Sequence, residues 1–246
     1  NPLFMCSHKL FFIITQNVTA VNKVTLASGL SPCMQTSSSR YTREMISHRK
    51  KLKVELLNTA YRLCEADGSE RLSLRVLAAK VGVSHTAVYR HFKNKNDLLT
   101  AIKTEGFNRL GSILQVNYAG LTANQAMAEF VLAAANYVQF GLENRQIYAL
   151  MFSQSDLGLN DKDLADQRQR TFNYLIAGVA KNFELGSPKQ RLNKSYQIWA
   201  SVHGLVDILC HHNPDDEIQS NVDWIINNLT TYLVETTFNE PNHGAR

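Results

Sequence analysis

Apolar side chains recur along most of the chain at the three- and four-residue spacing of amphipathic helices. No proline occurs between Cys33 and Ser187, and no stretch alternates apolar and polar residues as a half-buried strand does. The pattern therefore predicts an all-α protein. The predicted helices span about 47–66, 74–81, 85–92, a segment capped by Asn94 or Asn96, 123–142, 144–152, 161–183, 188–211 and a final segment that begins near 221.

The segment from Ser73 to Leu99 has the pattern of two short helices joined by a tight turn. Ser73 is positioned to cap the first helix, Gly82 to end it in a left-handed turn, and Ser84 to cap the second. Val88 faces inward, and the outward positions of the second helix are small, polar, aromatic and basic. A core does not need such a face, whereas a helix that enters the major groove of DNA does.

The residues of this segment resemble the DNA-binding domain of the TetR/AcrR family of bacterial repressors. The resemblance covers roughly residues 50–110, and it is carried by Arg75-x-Leu77-Ala78, by Val81-Gly82-Val83-Ser84, and by Val88-Tyr89-Arg90-His91-Phe92-x-Asn94-Lys95-x-x-Leu98-Leu99. It implies an N-terminal helix-turn-helix domain followed by a larger helical domain for ligand binding and dimerisation.

The candidate DNA-binding residues lie on and around the second helix of this motif. They are Ser73, Ser84, His85, Thr86, Ala87, Tyr89, Arg90, His91, Lys93 and Lys95. We expect the N-terminal positions 84–87 to approach base edges. The aromatic and basic side chains that follow would bind phosphates, together with the first amides of the next helix. A three-helix module that serves only for packing is the alternative.

The distribution of charge agrees with a nucleic-acid interface in this part of the chain. The formal net charge of the protein is +5, but residues 45–105 alone carry +6, residues 1–44 carry +3 and residues 106–246 carry −4. Positive charge concentrated around one motif is the electrostatic footprint expected for phosphate binding.

The last two predicted helices, from Pro188 to His211 and from Asn221 to Phe238, are long and amphipathic. The resemblance implies that they form a four-helix bundle with a second subunit. Because a single helix-turn-helix contacts few base pairs, two-fold symmetry would double the contacts on a palindromic site. We therefore expect a homodimer, and the alternative is that these helices complete a monomer core.

Three short motifs are similar to those of one regulatory-domain subgroup of the family, named for its Trp-x-x-x-His-Gly signature. They are Trp199-x-x-x-His203-Gly204, Tyr137-x-x-Phe140 and Tyr148-x-x-Met151-Phe152. Arg145 replaces a proline that is common in the subgroup, so this short helix is expected to begin differently. His203 is either a polar group on the wall of a ligand cavity or a packing residue, with Gly204 allowing close approach of helices across a dimer.

Aromatic and methionine side chains of the predicted body could line a pocket for a hydrophobic or aromatic effector. The candidates are Phe107, Met127, Phe130, Tyr137, Phe140, Tyr148, Met151, Phe172, Trp199 and His203. Plain core packing is the alternative for each of them.

Other chemistry has no support in the sequence. The four cysteines form no CxxC pair, and the adjacent His211 and His212 on a helix would not converge on one ion. No arrangement of residues indicates nucleophilic or acid–base catalysis. We expect no catalytic residues, no metal, no cofactor and no membrane partner, since no apolar run is long enough to span a bilayer.

The predicted domain organisation has four parts. Residues 1–44 form an atypical and flexible extension, 45–95 the DNA-binding domain, 96–238 the regulatory and dimerisation domain, and 239–246 a polar tail. The sequence thus predicts a cytoplasmic, nucleoid-associated repressor that binds a palindromic operator as a homodimer and is released by a small hydrophobic effector. The alternatives are an architectural or partner-controlled DNA-binding protein without an effector, and a small-molecule-binding module that has lost DNA binding.

Overall fold

The computed structural model describes residues 37–153, 161–211 and 228, and throughout these residues the regular secondary structure is α-helical. The chain divides into two compact units, residues 1–45 and 46–246, and the sites described below belong to the second. The helices are α1 Ser37–Asp67, α2 Leu74–Val81, α3 His85–Tyr89, α4 Lys95–Leu114, α5 Ala123–Glu143, α6 Arg145–Phe152, α7 Lys162–Asn182 and α8 Pro188–His211. The all-α prediction is confirmed.

Side-chain caps fix where the helices of the motif begin. The hydroxyl of Ser73 accepts from the Val76 amide at 3.2 Å, and that of Ser84 accepts from the Ala87 amide at 3.2 Å. Asn94, not Asn96, caps α4 through the amide of Asp97. Such caps satisfy N–H groups that have no partner within the helix.

Two predicted helix boundaries are wrong. The first helix begins at Ser37, ten residues before the predicted start. Residues 37–46 contain neither proline nor glycine, so the helix is not interrupted there. They also lack an apolar stripe, so the periodic pattern does not predict this part of the helix. The second helix of the motif ends at Tyr89 and not at Phe92. After Tyr89 the backbone forms a tighter turn, in which the amides of both His91 and Phe92 donate to the carbonyl of Val88.

The core forms two clusters of buried apolar side chains. The larger contains residues of all eight described helices, with Leu164 as the buried residue of α7, and the smaller consists of Phe130, Val179, Phe183 and Ile198. Helices pack closely where glycines remove a side chain. A Cβ at Gly141 would clash with Val206 of α8, and one at Gly106 would clash with Met151 of α6.

Several predictions fall outside the described residues. These are the extension before residue 37, the loop over 154–160, the helix predicted from 221 to 238 and the tail after it. None of the described helices combines the length and apolar character needed to cross a bilayer. Within the same described ranges, His, Cys, Asp and Glu side chains form no group of three that could hold a metal ion.

Candidate nucleic-acid interface and polar network of the body

Helix α3 presents a polar face outward because its apolar residue is locked inward. Val88 is fully buried, whereas His85 and Thr86 are exposed and Tyr89 keeps 47% of its surface exposed. The rings of His85 and Tyr89 meet edge-to-face at 4.7 Å, so they form one ordered surface. The structure therefore brings the predicted base-reading positions together on one exposed turn, with Ala87 half-buried beside them.

Helix α1 runs beside the end of this turn. The Arg49 guanidinium donates to the carbonyl of Arg90 at 3.3 Å. Partial burial, together with the positive charges of Arg49 and Lys53, lowers the pKa of His91. His91 is therefore neutral at pH 7, and its surroundings are already positively charged.

A basic run on α1 was not assigned to the site from the sequence. Arg49, Lys50, Lys51 and Lys53 are all exposed. The hydrogen bond from Arg49 to Arg90 places this run next to α3. The signal for this run in the sequence is the density of positive charge, four cations within five residues.

The two candidate lysines after α3 have different environments. Lys93 is exposed, and its backbone amide donates to the Asp97 carboxylate at 2.8 Å. Lys95 is half-buried, and its ammonium donates to the Glu70 carbonyl at 2.9 Å. Lys95 thus ties α4 to the loop after α1, a contact that the sequence did not indicate.

The three motif segments of the regulatory body meet in one polar network. The indole N–H of Trp199 donates to the Tyr137 hydroxyl at 3.1 Å, and the hydroxyls of Tyr137 and Tyr148 lie 2.9 Å apart. Both hydroxyls contact Nδ1 of His203, that of Tyr137 at 3.2 Å and that of Tyr148 at a shorter distance. Burial raises the pKa of both tyrosines and lowers that of His203, so all three groups are neutral at pH 7.

The ten candidate effector residues do not all surround one space. Phe107, Tyr137, Phe140, Tyr148 and Met151 are buried in the larger cluster. Phe130 and Met127 belong to the smaller cluster instead. Phe172, Trp199 and His203 are partly exposed, and the Phe172 and Trp199 rings lie 5.8 Å apart.

The start of α6 is held by α1. Asn144 provides no side-chain cap for α6, and the Glu65 carboxylate takes that role by accepting from the Ile147 amide at 3.0 Å and the Gln146 amide at 3.4 Å. The Tyr61 hydroxyl adds a bond to Asn144 at 3.3 Å. The helix that carries Tyr148 is therefore attached directly to α1, the helix that precedes the helix-turn-helix motif.

One face of helix α8, around Gly204, carries small side chains. Among the residues that the structure describes, a Cβ added at Gly204 would meet nothing within 4 Å. Ala200 and Ser201, one turn earlier, are exposed. Small side chains on this face leave room for close approach by another helix.

Comparison with known proteins agrees with this architecture. Residues 56–102 match the model described as bacterial regulatory proteins, tetR family, and residues 130–228 match that of the Tetracyclin repressor-like, C-terminal domain. The two matches together cover more than half of the chain. The chain belongs to the TetR family of bacterial regulatory proteins, with a helix-turn-helix DNA-binding domain and a Tetracyclin repressor-like C-terminal domain.

Particular relatives are similar over part of the chain. The nucleoid occlusion factor SlmA of Photorhabdus laumondii is 32% identical over 102 residues, which are 40% of this chain and 51% of the relative. The chain thus spans about half the length of the curated relatives it matches. The regulatory protein SCO4313 shares the fold, with a TM-score of 0.60 and 17% identity over 77% of this chain and 98% of that one. AibR, solved with isovaleryl coenzyme A and operator DNA, has a TM-score of 0.52 and 16% identity over 73% and 96%.

Proposed function

We propose that this protein is a transcription regulator, acting as a repressor, that binds a palindromic operator as a homodimer. The observation that carries the proposal is the exposed polar face of α3, flanked by the basic run of α1. Such a surface combines groups that can reach base edges with cations that attract phosphates. It also argues against a module that has lost DNA binding.

Roles within the site follow from the position of each side chain. Ser84, His85, Thr86 and Ala87 lie at the start of α3, which is the end that meets base edges in a helix-turn-helix. Tyr89, Arg90, His91 and Lys93 follow, at the flank that faces the phosphate backbone. Ser73, at the start of α2, and Lys95, at the start of α4, would add contacts from neighbouring helix ends.

The proposed dimer interface is formed by α8 and by the segment 221–238. Ala200 and Ser201 are small and exposed, and a Cβ at Gly204 would meet nothing within 4 Å among the described residues, which supports packing against the same face of a second chain. Two-fold symmetry would present two α3 helices to successive major grooves, about 34–36 Å apart.

Release by a small hydrophobic effector is the proposed regulation. The polar network sits on α5, α6 and α8, and α6 is attached to α1 through Glu65. A ligand that alters the position of α6 would act on the DNA-binding motif through this attachment. The two motifs of the dimer would have different spacings in the two conformations, and the ligand would bind one conformation more tightly than the other. The structure of AibR with an acyl-coenzyme A and operator DNA supports effector control for this fold. The convergence of the three motifs supports membership of the Trp-His-Gly subgroup.

A second candidate is a DNA-binding protein of this fold that is controlled by a partner and not by an effector. The similarity to the nucleoid occlusion factor SlmA favours it. Either function would place the protein on the nucleoid in the cytoplasm.

Selection of duplexes from a random library, followed by sedimentation of the complex, tests the proposal. The expected result is an inverted repeat bound by two chains, with loss of selection in a Thr86→Ala, Ala87→Asp double variant. Recovery of unrelated sequences, or binding of one chain per duplex, would contradict it. An operator that no apolar small molecule releases would favour the second candidate.

A further inference from the structure

The polar network of the body fixes the proton positions on His203. The indole of Trp199 can only donate, so the Tyr137 hydroxyl accepts from it. The short contact between the Tyr148 hydroxyl and Nδ1 of His203 requires a proton between the two atoms. If Tyr137 donates to Tyr148 and Tyr148 donates to Nδ1, each of these three contacts is satisfied.

Hydrogen bonds donated in the opposite direction, from His203 towards the tyrosines, leave one hydroxyl without an acceptor. With a proton on Nδ1, the imidazole would donate to Tyr148, and only one of the two tyrosine hydroxyls could then donate to the other, so one O–H would have no acceptor within the network. Both tyrosines are buried, and a buried hydroxyl without an acceptor is costly. We therefore assign the neutral imidazole with its proton on Nε2. Nε2 makes no hydrogen bond to the described residues, and because no fully buried side-chain nitrogen or oxygen there lacks a partner, Nε2 is not fully buried.

Aromatic rings lie next to the His203 imidazole. Phe152 meets His203 edge-to-face at 4.6 Å, Trp199 lies 5.7 Å from it, and Phe172 lies 5.8 Å from Trp199. All four side chains are partly exposed, although they come from three helices that pack around the core. The result is an accessible aromatic surface with one fixed hydrogen-bond donor.

A positive charge lies one helical turn from this surface. Arg168 precedes Phe172 by four residues on α7, so the two side chains share a face of the helix. The Arg168 guanidinium is half-buried, and no hydrogen bond or ion pair joins it to the part of the chain that the structure describes. Its charge is felt by the buried Lys103 of α4, whose pKa is lowered both by burial and by Arg168.

We propose that the effector is an apolar carboxylate with a second, uncharged hydrogen-bond acceptor. Arg168 binds the carboxylate, the rings of Phe152, Phe172 and Trp199 contact the apolar body, and the Nε2–H of His203 donates to the acceptor. A guanidinium offers a carboxylate two parallel donors, and a half-buried one is less screened by water than a surface lysine. This inference rests on the proposed regulation by an effector and names the chemical class of that effector.

Three matched probes test it by calorimetry on the full-length chain. The first is 6-methoxy-2-naphthoate, which has both the charge and the acceptor. The second, 6-methoxy-2-naphthamide, lacks the charge, and the third, 6-ethyl-2-naphthoate, lacks the acceptor. We expect one site per chain and affinity for the amide about tenfold lower than for the carboxylate.

Variants of Arg168 test the role of its charge. Arg168→Gln should abolish the difference in affinity between the carboxylate and the amide, and Arg168→Lys should keep part of that difference. Arg170→Gln, which changes an exposed arginine on the same helix, should leave it intact.

The second part of the test concerns the uncharged acceptor of the probe and uses variants of His203. The ethyl compound should bind several-fold more weakly than the methoxy compound, and His203→Phe should remove that difference, whereas His203→Gln, which keeps a donor, should retain most of it. Equal binding of carboxylate and amide, or no binding of any probe at 1 mM, would overturn the inference. DNA binding measured in parallel separates the outcomes, because a chain that binds DNA but not the probes fails only this inference.

Discussion

The carboxylate of Glu65 on α1 accepts a hydrogen bond from the backbone amide of Ile147 at 3.0 Å. It also accepts from the amide of Gln146, so a residue of one helix caps the start of another 81 residues away. The next residue along α6, Tyr148, contacts His203. The first turn of α6 thus joins α1, the helix before the DNA-binding motif, to the polar network of the body.

Removing this cap should destabilise the protein. Glu65→Ala leaves two amides at the start of α6 without acceptors, and we expect a loss of about 1 kcal/mol, in the range of 0.5–2 kcal/mol known for helix caps. Glu65→Gln should cost less, because its amide oxygen still accepts. Denaturant unfolding of the two variants measures the difference. Equal stability of the alanine variant and the wild type would show that the cap contributes nothing.

The effect of Gly204→Ala tests the proposed dimer interface, because the substitution should have opposite effects on the stability of the single chain and on dimerisation. Among the described residues of one chain, the Cβ of an alanine at this position meets nothing within 4 Å, and the substitution should favour the helix by about 0.5–1 kcal/mol. If Gly204 faces a partner helix at close range, Gly204→Ala should instead weaken dimerisation, which sedimentation equilibrium measures. Gly141→Ala is the contrast, since its clash with Val206 lies within the chain. If Gly204→Ala makes the protein more stable and leaves the dimerisation constant unchanged, Gly204 does not lie in the dimer interface.

The environments of Lys93 and Lys95 predict different responses to salt. If exposed Lys93 neutralises one phosphate in each subunit, Lys93→Ala should flatten the slope of log K against log salt by about 1 per subunit. Lys95→Ala should change the slope less, because its ammonium is bound to the Glu70 carbonyl. Fluorescence anisotropy at several salt concentrations gives both slopes. An unchanged slope in both variants would remove the phosphate roles.

The buried imidazole of His203 predicts how stability depends on pH. Its pKa in the folded state is lowered, so below the unfolded value of about 6.5 the unfolded chain takes up the proton first. Stability should be fully present above pH 6.5 and fall as the pH drops from there towards the folded pKa, by up to about 1.4 kcal/mol per pH unit.

Melting temperatures between pH 7.5 and 5.5 test this. The pKa of His91 is lowered as well, so it contributes in the same direction, and His91→Gln is the matched control. We expect His203→Gln to show a shallower loss of stability on acidification than His91→Gln. If both variants match the wild type in slope, His203 is not buried as a neutral group.

The pattern of caps and apolar faces predicted most of the fold. Ser73, Ser84 and Gly82 set the boundaries of α2 and the start of α3 through local geometry, which a sequence displays directly. The end of α3 was missed, because Phe92 keeps the inward spacing although the chain leaves the helix after Tyr89. The early start of α1 was missed because a helix without an apolar stripe gives no periodic signal.

The site was predictable only where its contacts are local. The residues of α3 follow one another along the chain, and so the sequence showed them as a set. Trp199, Tyr137 and Tyr148 are separated by up to 62 residues, and their convergence depends on how α5, α6 and α8 pack. The contact of Lys95 with Glu70 and the cap provided by Glu65 depend on tertiary packing in the same way.

Genome-wide recovery of the DNA fragments bound by this chain tests the central claim most directly. The account predicts enrichment of an inverted repeat whose half-sites lie one helical turn or a multiple of it apart, lost when the exposed face of α3 is changed. It would be contradicted if no sequence were enriched and the purified protein remained a single chain at micromolar concentration.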